Sequence, residues 1–323
     1  MIGSLKGIGI GVLLLALGAG RTAAQEVPMH QEAFHAVQGE HAASEREIDI
    51  MHHLANTHTF EFPCLNASYV CTTELHQYPP LRIGPLSLDF SPTKHLVYVI
   101  ISSFIVATVF LLTARSISRA RAQGRPPKGF AGAMEAMALY IRQEVVLPNV
   151  GHHGDGYVPY LLTTFFFILI CNLLGLIPYG STATGNIAVT AALAFLAFLV
   201  IEISGMRTLG FKGYMGTIFF LPPGLPTVLK PIILIILTPI ELIGKLAKPF
   251  ALAVRLFANM TAGHALVLAL IGLVFTFHSY WVGLAAAPMA TAIMVLEVFV
   301  AFLQAFVFTL LASVFIGLMR AEH

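Results

Sequence analysis

Between Pro249 and Met319 the chain is apolar apart from a few side chains, and only two of them carry full formal charge, Arg255 and Glu297. His264, Asn259 and Gln304 add polar groups to the same stretch. A charge at the middle of a bilayer costs about 2.5–3.5 kcal/mol on the insertion scale, so intramembrane charge is read as functional by default. Arginine holds its proton at every relevant pH, which makes Arg255 a fixed cation rather than a carrier. Histidine (unperturbed pKa ~6.5) and glutamate (~4.3) exchange protons, so His264 and Glu297 are the titratable candidates.

Spacing groups these residues. Glu241, Lys248, Arg255 and Asn259 follow at intervals of seven, seven and four, which places them on one helical stripe. His264 comes nine residues after Arg255, half a turn away in angle and ~13 Å along the axis. On the following helix Glu297 and Gln304 are seven apart and share a face. An antiparallel hairpin would bring His264 and Glu297 to one depth and Arg255 and Gln304 to a deeper one. The pattern suits a proton wire that ends at a charge barrier. No second carboxylate stands at the depth of Arg255, so its partner would come from another subunit.

The elements that must hold these groups are membrane helices. The 323 residues are 57% hydrophobic and 11% charged, with mean hydropathy +0.82, whereas soluble domains carry about 25% charged residues. Apolar runs predict spans at 95–114, 157–178 and 187–203, then overlong helical patterns at 227–277 and 289–319. The fold class expected is all-α: a polytopic membrane protein of about five membrane helices, ending in a long tilted hairpin with HSYWVGLAAAP as its loop. Pro231, Pro239 and Pro249 are candidate kinks. RSISRARAQGRPPK (115–128) and MRTLGFKGY (206–214) are basic and mark cytoplasmic ends. Residues 129–147 read as an amphipathic helix at that interface. The basic residues lie beside membrane spans and give no reason to expect nucleic acid.

Residues 1–24 have a positive start, a short apolar core and a small-residue TAA site before Gln25, the pattern of a secretory signal peptide. An uncleaved first helix is the alternative. Residues 25–92 form an exported, His-rich polar arm expected to be solvated and partly helical. MHHLANTH (51–58) lacks the carboxylate or cysteine that would complete a metal site. Cys64 and Cys71 lie in this arm, where a disulfide is chemically permitted, while Cys171 falls in a span and reads as packing. Residues 93–323 are the membrane domain.

At RLFANMTAGH (255–264) the sequence resembles subunit a of the F-type ATP synthase, the stator half of its membrane proton channel. ELIGKLAKPFALAV (241–254), EVFVAFLQAFVFTLLASVF (297–315) and GNIAVT (185–190) carry the same resemblance, which extends from about His95 to the C-terminus. It implies that Arg255 is the essential arginine, Asn259 its companion amide and Gln304 the glutamine of the last helix. Protons would enter from outside near His264 and Glu297, helped by Asn259 and Gln304, and neutralise a carboxylate on the c-ring of the rotor. They would leave through a cytoplasmic half-channel near Glu241, with Arg255 separating the two paths. Many bacterial members have glutamate where His264 stands and histidine where Glu297 stands; here the types are exchanged. The resemblance further implies a non-catalytic subunit without cofactor or metal, in a bacterial inner membrane. Its partners would be the c-ring, the subunit b peripheral stalk, the other ATP synthase subunits and the lipid bilayer. The N-terminus would be outside and the C-terminus cytoplasmic. No P-loop occurs in the chain.

Two other function classes predict features that the sequence lacks. A self-contained secondary transporter with an intramembrane proton relay predicts internal repeats, and none pairs the two halves of the sequence. An intramembrane metalloenzyme would need a second ligand near His264, and HExxH is absent.

Overall fold

The structure is a computed structural model that describes residues 59–63, 70–77, 81–83, 86–88, 91–151, 154–177, 182–219, 226, 229–277 and 279–321. The signal-like start, MHHLANTH and Cys64 lie outside the described residues, and with them the Cys64–Cys71 bridge. The described part of the exported arm is strand rather than helix. Strands β1 (Thr59–Pro63) and β2 (Val70–Glu74) pair antiparallel, with Phe62 opposite Cys71. Strands β3 (Leu81–Ile83) and β4 (Leu86–Leu88) form a second small hairpin. Aromatic and β-branched residues such as Phe60, Phe62, Val70 and Thr72 favour this state.

Helix α1 (Lys94–Ala122) crosses the membrane and continues through its arginines to Ala122. The expected interfacial helix is α2 (Phe130–Tyr140), which runs through a π-helical turn (Ile141–Val146) into the short α3 (Leu147–Val150). Surface ion pairs brace this region: Arg121 with Glu135 and Arg142 with Asp155, each at 2.8 Å. Helix α4 (Val158–Gly175) supplies the fully buried Leu161, Phe165 and Ile168 at the centre of the core. Helix α5 (Ile187–Ile218) starts at Asn186, whose side chain accepts from the Ala188 N–H at 2.8 Å and caps the first turn.

The two last helices differ in length from expectation. Helix α6 is Lys230–Phe277 and α7 is Tyr280–Ala321, so the loop between them is two residues rather than HSYWVGLAAAP. Pro288 lies inside α7. Neighbouring helices and local adjustment make proline tolerable in membrane helices, and the breaker reading of residues 278–288 fails for that reason. Pro231 stands second in α6, where its missing N–H has no intrahelical partner to lose, so of the three prolines only Pro239 and Pro249 lie in the helix interior. Among the described residues five helices, α1, α4, α5, α6 and α7, are long and apolar enough to cross a membrane.

Small residues set the closest helix contacts. Gly205 of α5 admits Met319 of α7: a Cβ there would stand 2.8 Å from the methionine Cε. Gly317 of α7 lies against the Asn149 carbonyl of α3, backbone against backbone. Gly317→Ala should therefore lower the thermal stability of the purified complex by the equivalent of about 1–3 kcal/mol, as overpacking does. Gly216→Ala, in open space on a helix, should leave it unchanged or raise it slightly. Thermal unfolding in detergent checks both signs.

Candidate functional site

The α6–α7 hairpin brings the expected residues to two levels. Gln304 of α7 is 3% exposed, and its Nε2 donates to the backbone carbonyl of Arg255 at 2.9 Å. This bond ties the glutamine to the arginine's backbone and leaves the guanidinium outside. Arg255 and Asn259 are exposed on the chain, as is Lys248, while Glu241 on the same stripe is half-buried. Among the described residues no acid pairs with Arg255. The buried neighbours Leu252, Ala253, Leu256 and Met260 show the opposite face of α6 turned into the subunit.

Nearer the loop, the Glu297 carboxyl lies against Gly263, so that a Cβ on Gly263 would collide with Glu297 Oε1. That oxygen is buried and has no hydrogen-bond partner among the described residues. His264, half-buried, is the next residue along α6, so the shared depth with Glu297 expected from spacing is present. The two levels belong to one antiparallel register. Ala301 and Ala305, both fully buried, let α7 come close enough for that register to hold.

A buried polar chain approaches α7 from the other side. Asn172 of α4 donates to the Ala301 carbonyl at 3.3 Å, one turn from Glu297, and accepts from the Thr184 hydroxyl at 2.7 Å. Thr184 in turn stands 2.7 Å from the Thr182 hydroxyl, and the Thr182 carbonyl accepts from His95 Nδ1 at 3.0 Å. Asn172 is the only strongly polar residue of its span, which was the signal for it.

Residues 96–317 match the family model described as ATP synthase A chain. The chain belongs to that family. It is 43% identical over 293 residues to "ATP synthase subunit a 2" of Chlorobium luteolum, covering 90% of this chain and 81% of that one. It is 42% identical over 304 residues to "ATP synthase subunit a 2" of Chlorobaculum tepidum, with 93% and 80% covered. "ATP synthase subunit a" of Chloroherpeton thalassium is 40% identical over 277 residues, with 86% and 78% covered.

Within this family member the sequence reading passed over one cluster. Glu202 and Tyr214 of α5 meet Lys245 of α6: Lys245 Nζ is 3.6 Å from Glu202 Oε2 and 2.9 Å from the Thr217 hydroxyl, to which it donates. Tyr214 donates to Glu202 Oε2, and Lys245 lies over its ring, 4.7 Å from the centroid. The available signal was the charge of Glu202 at the end of an apolar span.

The atoms that crowd Gly263 are the outer part of the Glu297 side chain, Oε1, Cδ and Cγ, so Gly263→Ala can be accommodated by a shift of that side chain. The variant should assemble normally; if Glu297 passes protons, ATP-driven proton pumping should fall about tenfold or more, since a ~1 Å displacement of such a group can cost up to 10²-fold. Gly272→Ala, with open space around it, should change neither. Pumping in reconstituted vesicles checks the pair.

Proposed function

We propose that the chain is the proton-conducting stator subunit of a rotary ATP synthase, offering two offset half-channels to the carboxylates of a c-ring. One observation carries this reading: a single hairpin register holds an exposed Arg255, with no acid partner among the described residues, at one level and the Glu297–Gly263–His264 level nearer the loop. The fixed cation faces outward, where a moving carboxylate of another subunit can meet it. The titratable residues lie at a different depth, where a path from the loop side can end.

In this reading protons enter from outside by way of His264 and Glu297, with Asn259 and Gln304 lining the way to the rotor. A protonated rotor carboxylate is neutral and turns through lipid. On its return it meets the cytoplasmic half-channel beside Glu241, where it gives up its proton. Arg255 favours the ionised carboxylate and stops a proton from passing straight between the half-channels, because an arginine side chain does not release its own. The chain itself performs no nucleotide chemistry; its partners are the c-ring, the subunit b stalk and the other synthase subunits. The arginine-rich end of α1 and Arg207 and Lys212 in α5 support a cytoplasmic face there. The N-terminal arm is then outside, behind a signal peptide at 1–24, and the C-terminus is cytoplasmic.

Arg255→Ala in a reconstituted complex should abolish ATP-driven proton pumping, and normal pumping would remove the barrier role. Exchanging His264 and Glu297 for one another should impair pumping less than replacing either by alanine. Equal loss in all three variants would count against their acting together.

A further inference from the structure

A cavity of about 100 Å³ lies between α5, α6 and the end of α7, and four charged side chains line it: Glu202, Glu241, Lys245 and Lys248. Its remaining wall includes Phe315 and Met319, so α7 contributes no charge. Lys245 and Glu202 have side chains only 6% and 8% exposed. Lys245 follows Glu241 by four residues, which makes them neighbours on one face of α6.

The chain reaches this arrangement by folding back. At Gly210 the backbone takes φ 69° and ψ 170°, outside the helical region and open to glycine. In a straight helix Glu202 and Tyr214 would be ~18 Å apart along the axis, too far to touch. After the reversal Tyr214 donates to Glu202, and Thr217 accepts from Lys245. Without Glu202, a buried ammonium would face the cavity beside Glu241 together with the Lys248 ammonium. That local excess of positive charge would repel a proton on its way through. Paired with Glu202, Lys245 is neutral in sum.

We propose that Glu202 is a positioning residue for proton conduction: it neutralises Lys245, which would otherwise put a bare cation into the wall of the cavity that Glu241 lines. Tyr214 holds the carboxylate in place by its hydroxyl and the ammonium by its ring. The inference rests on reading the Glu241 side as the cytoplasmic half-channel. It predicts that charge balance, rather than the ion pair itself, is what conduction requires.

The test compares Glu202→Gln, Lys245→Gln and the double variant in purified complexes reconstituted into vesicles. Passive proton conduction through the membrane sector is measured with pH varied on each face in turn. Glu202→Gln should lower conduction about tenfold and move the cytoplasmic-side pH profile by about one unit to the acid side, the scale of an uncompensated neighbouring charge. The outside profile should stay put. The double variant should conduct near the parent level with its cytoplasmic-side pH profile back at the parent position, which supports the proposal whether or not Glu202→Gln alone assembles. Three results overturn it: a double variant no better than Glu202→Gln, a double variant that fails to assemble, or a Glu202→Gln complex that conducts like its parent. An Arg255→Ala control separates the two ideas, because normal ATP-driven pumping in that variant defeats the channel reading whatever the pair does.

Discussion

Hydrocarbon gives a charged side chain no solvent, so each charge in it must be neutralised, hydrogen-bonded or turned towards a partner. The register of α6 against α7 decides which of these befalls each group. The Gln304 bond to the Arg255 carbonyl fixes that register at one point, and the fit of Glu297 against Gly263 fixes it at another. Ala301 between them and Ala305 just beyond, both fully buried on α7, let the helices approach closely enough for both contacts to form. A slip of one residue would rotate each polar group by about 100° and separate both contacts. The polar groups therefore depend on the small ones.

The rest of the subunit buttresses this pair. Helix α4 packs its aromatic core against α7 and sends Asn172 to the Ala301 carbonyl, so a hydrogen bond braces the level of Glu297 from behind. Helix α5 lies against both α6 and α7: Gly205 receives Met319, and Glu202 receives Lys245. Near its C-terminal end α7 is held by α3 through Gly317 and by Arg320, which donates to the Val150 carbonyl at 3.3 Å. These contacts hold the inner side of the half of the hairpin away from the loop, while Arg255 and Asn259 stay outside.

Much of the hairpin was legible in the sequence because charge and helical period act locally. Arg255 and Gln304 at one depth, and His264 near Glu297 at another, follow from intervals along two helices and an antiparallel turn. The loop was misplaced because Gly283 and Pro288 read as breakers in water, where a freed carbonyl is solvated; among packed membrane helices they stay helical. Of the Glu202–Tyr214–Lys245 cluster only the charge of Glu202 at the end of an apolar span was legible, not its contacts. Its members come together through the reversal at Gly210, and no helical period relates Glu202 to a tyrosine twelve residues later. The arm's polar composition suggests a solvated, partly helical segment, while the aromatic and β-branched residues at 59–63 and 70–74 decide the local state there.

The subunit handles its cations in opposite ways, and the contrast bears on function. Lys245 points inward and meets a carboxylate, a hydroxyl and an aromatic ring, so its charge is satisfied within the chain. Arg255, ten residues on, points outward and meets no acid among the described residues. A chain selected only for stability would treat both alike, because one unpaired charge in hydrocarbon outweighs the modest return of several packing contacts. The structure spends polar partners on the lysine and withholds them from the arginine, while Gln304 satisfies only the arginine's backbone. An outward cation of this kind is incomplete until something negative passes in front of it. A partner that carried a permanent, fixed carboxylate would close the pair for good and stop motion. A partner whose carboxylates arrive ionised, take a proton and leave neutral would be held only in passing, and in the proposed reading that transient attraction is what the rotor needs from this subunit.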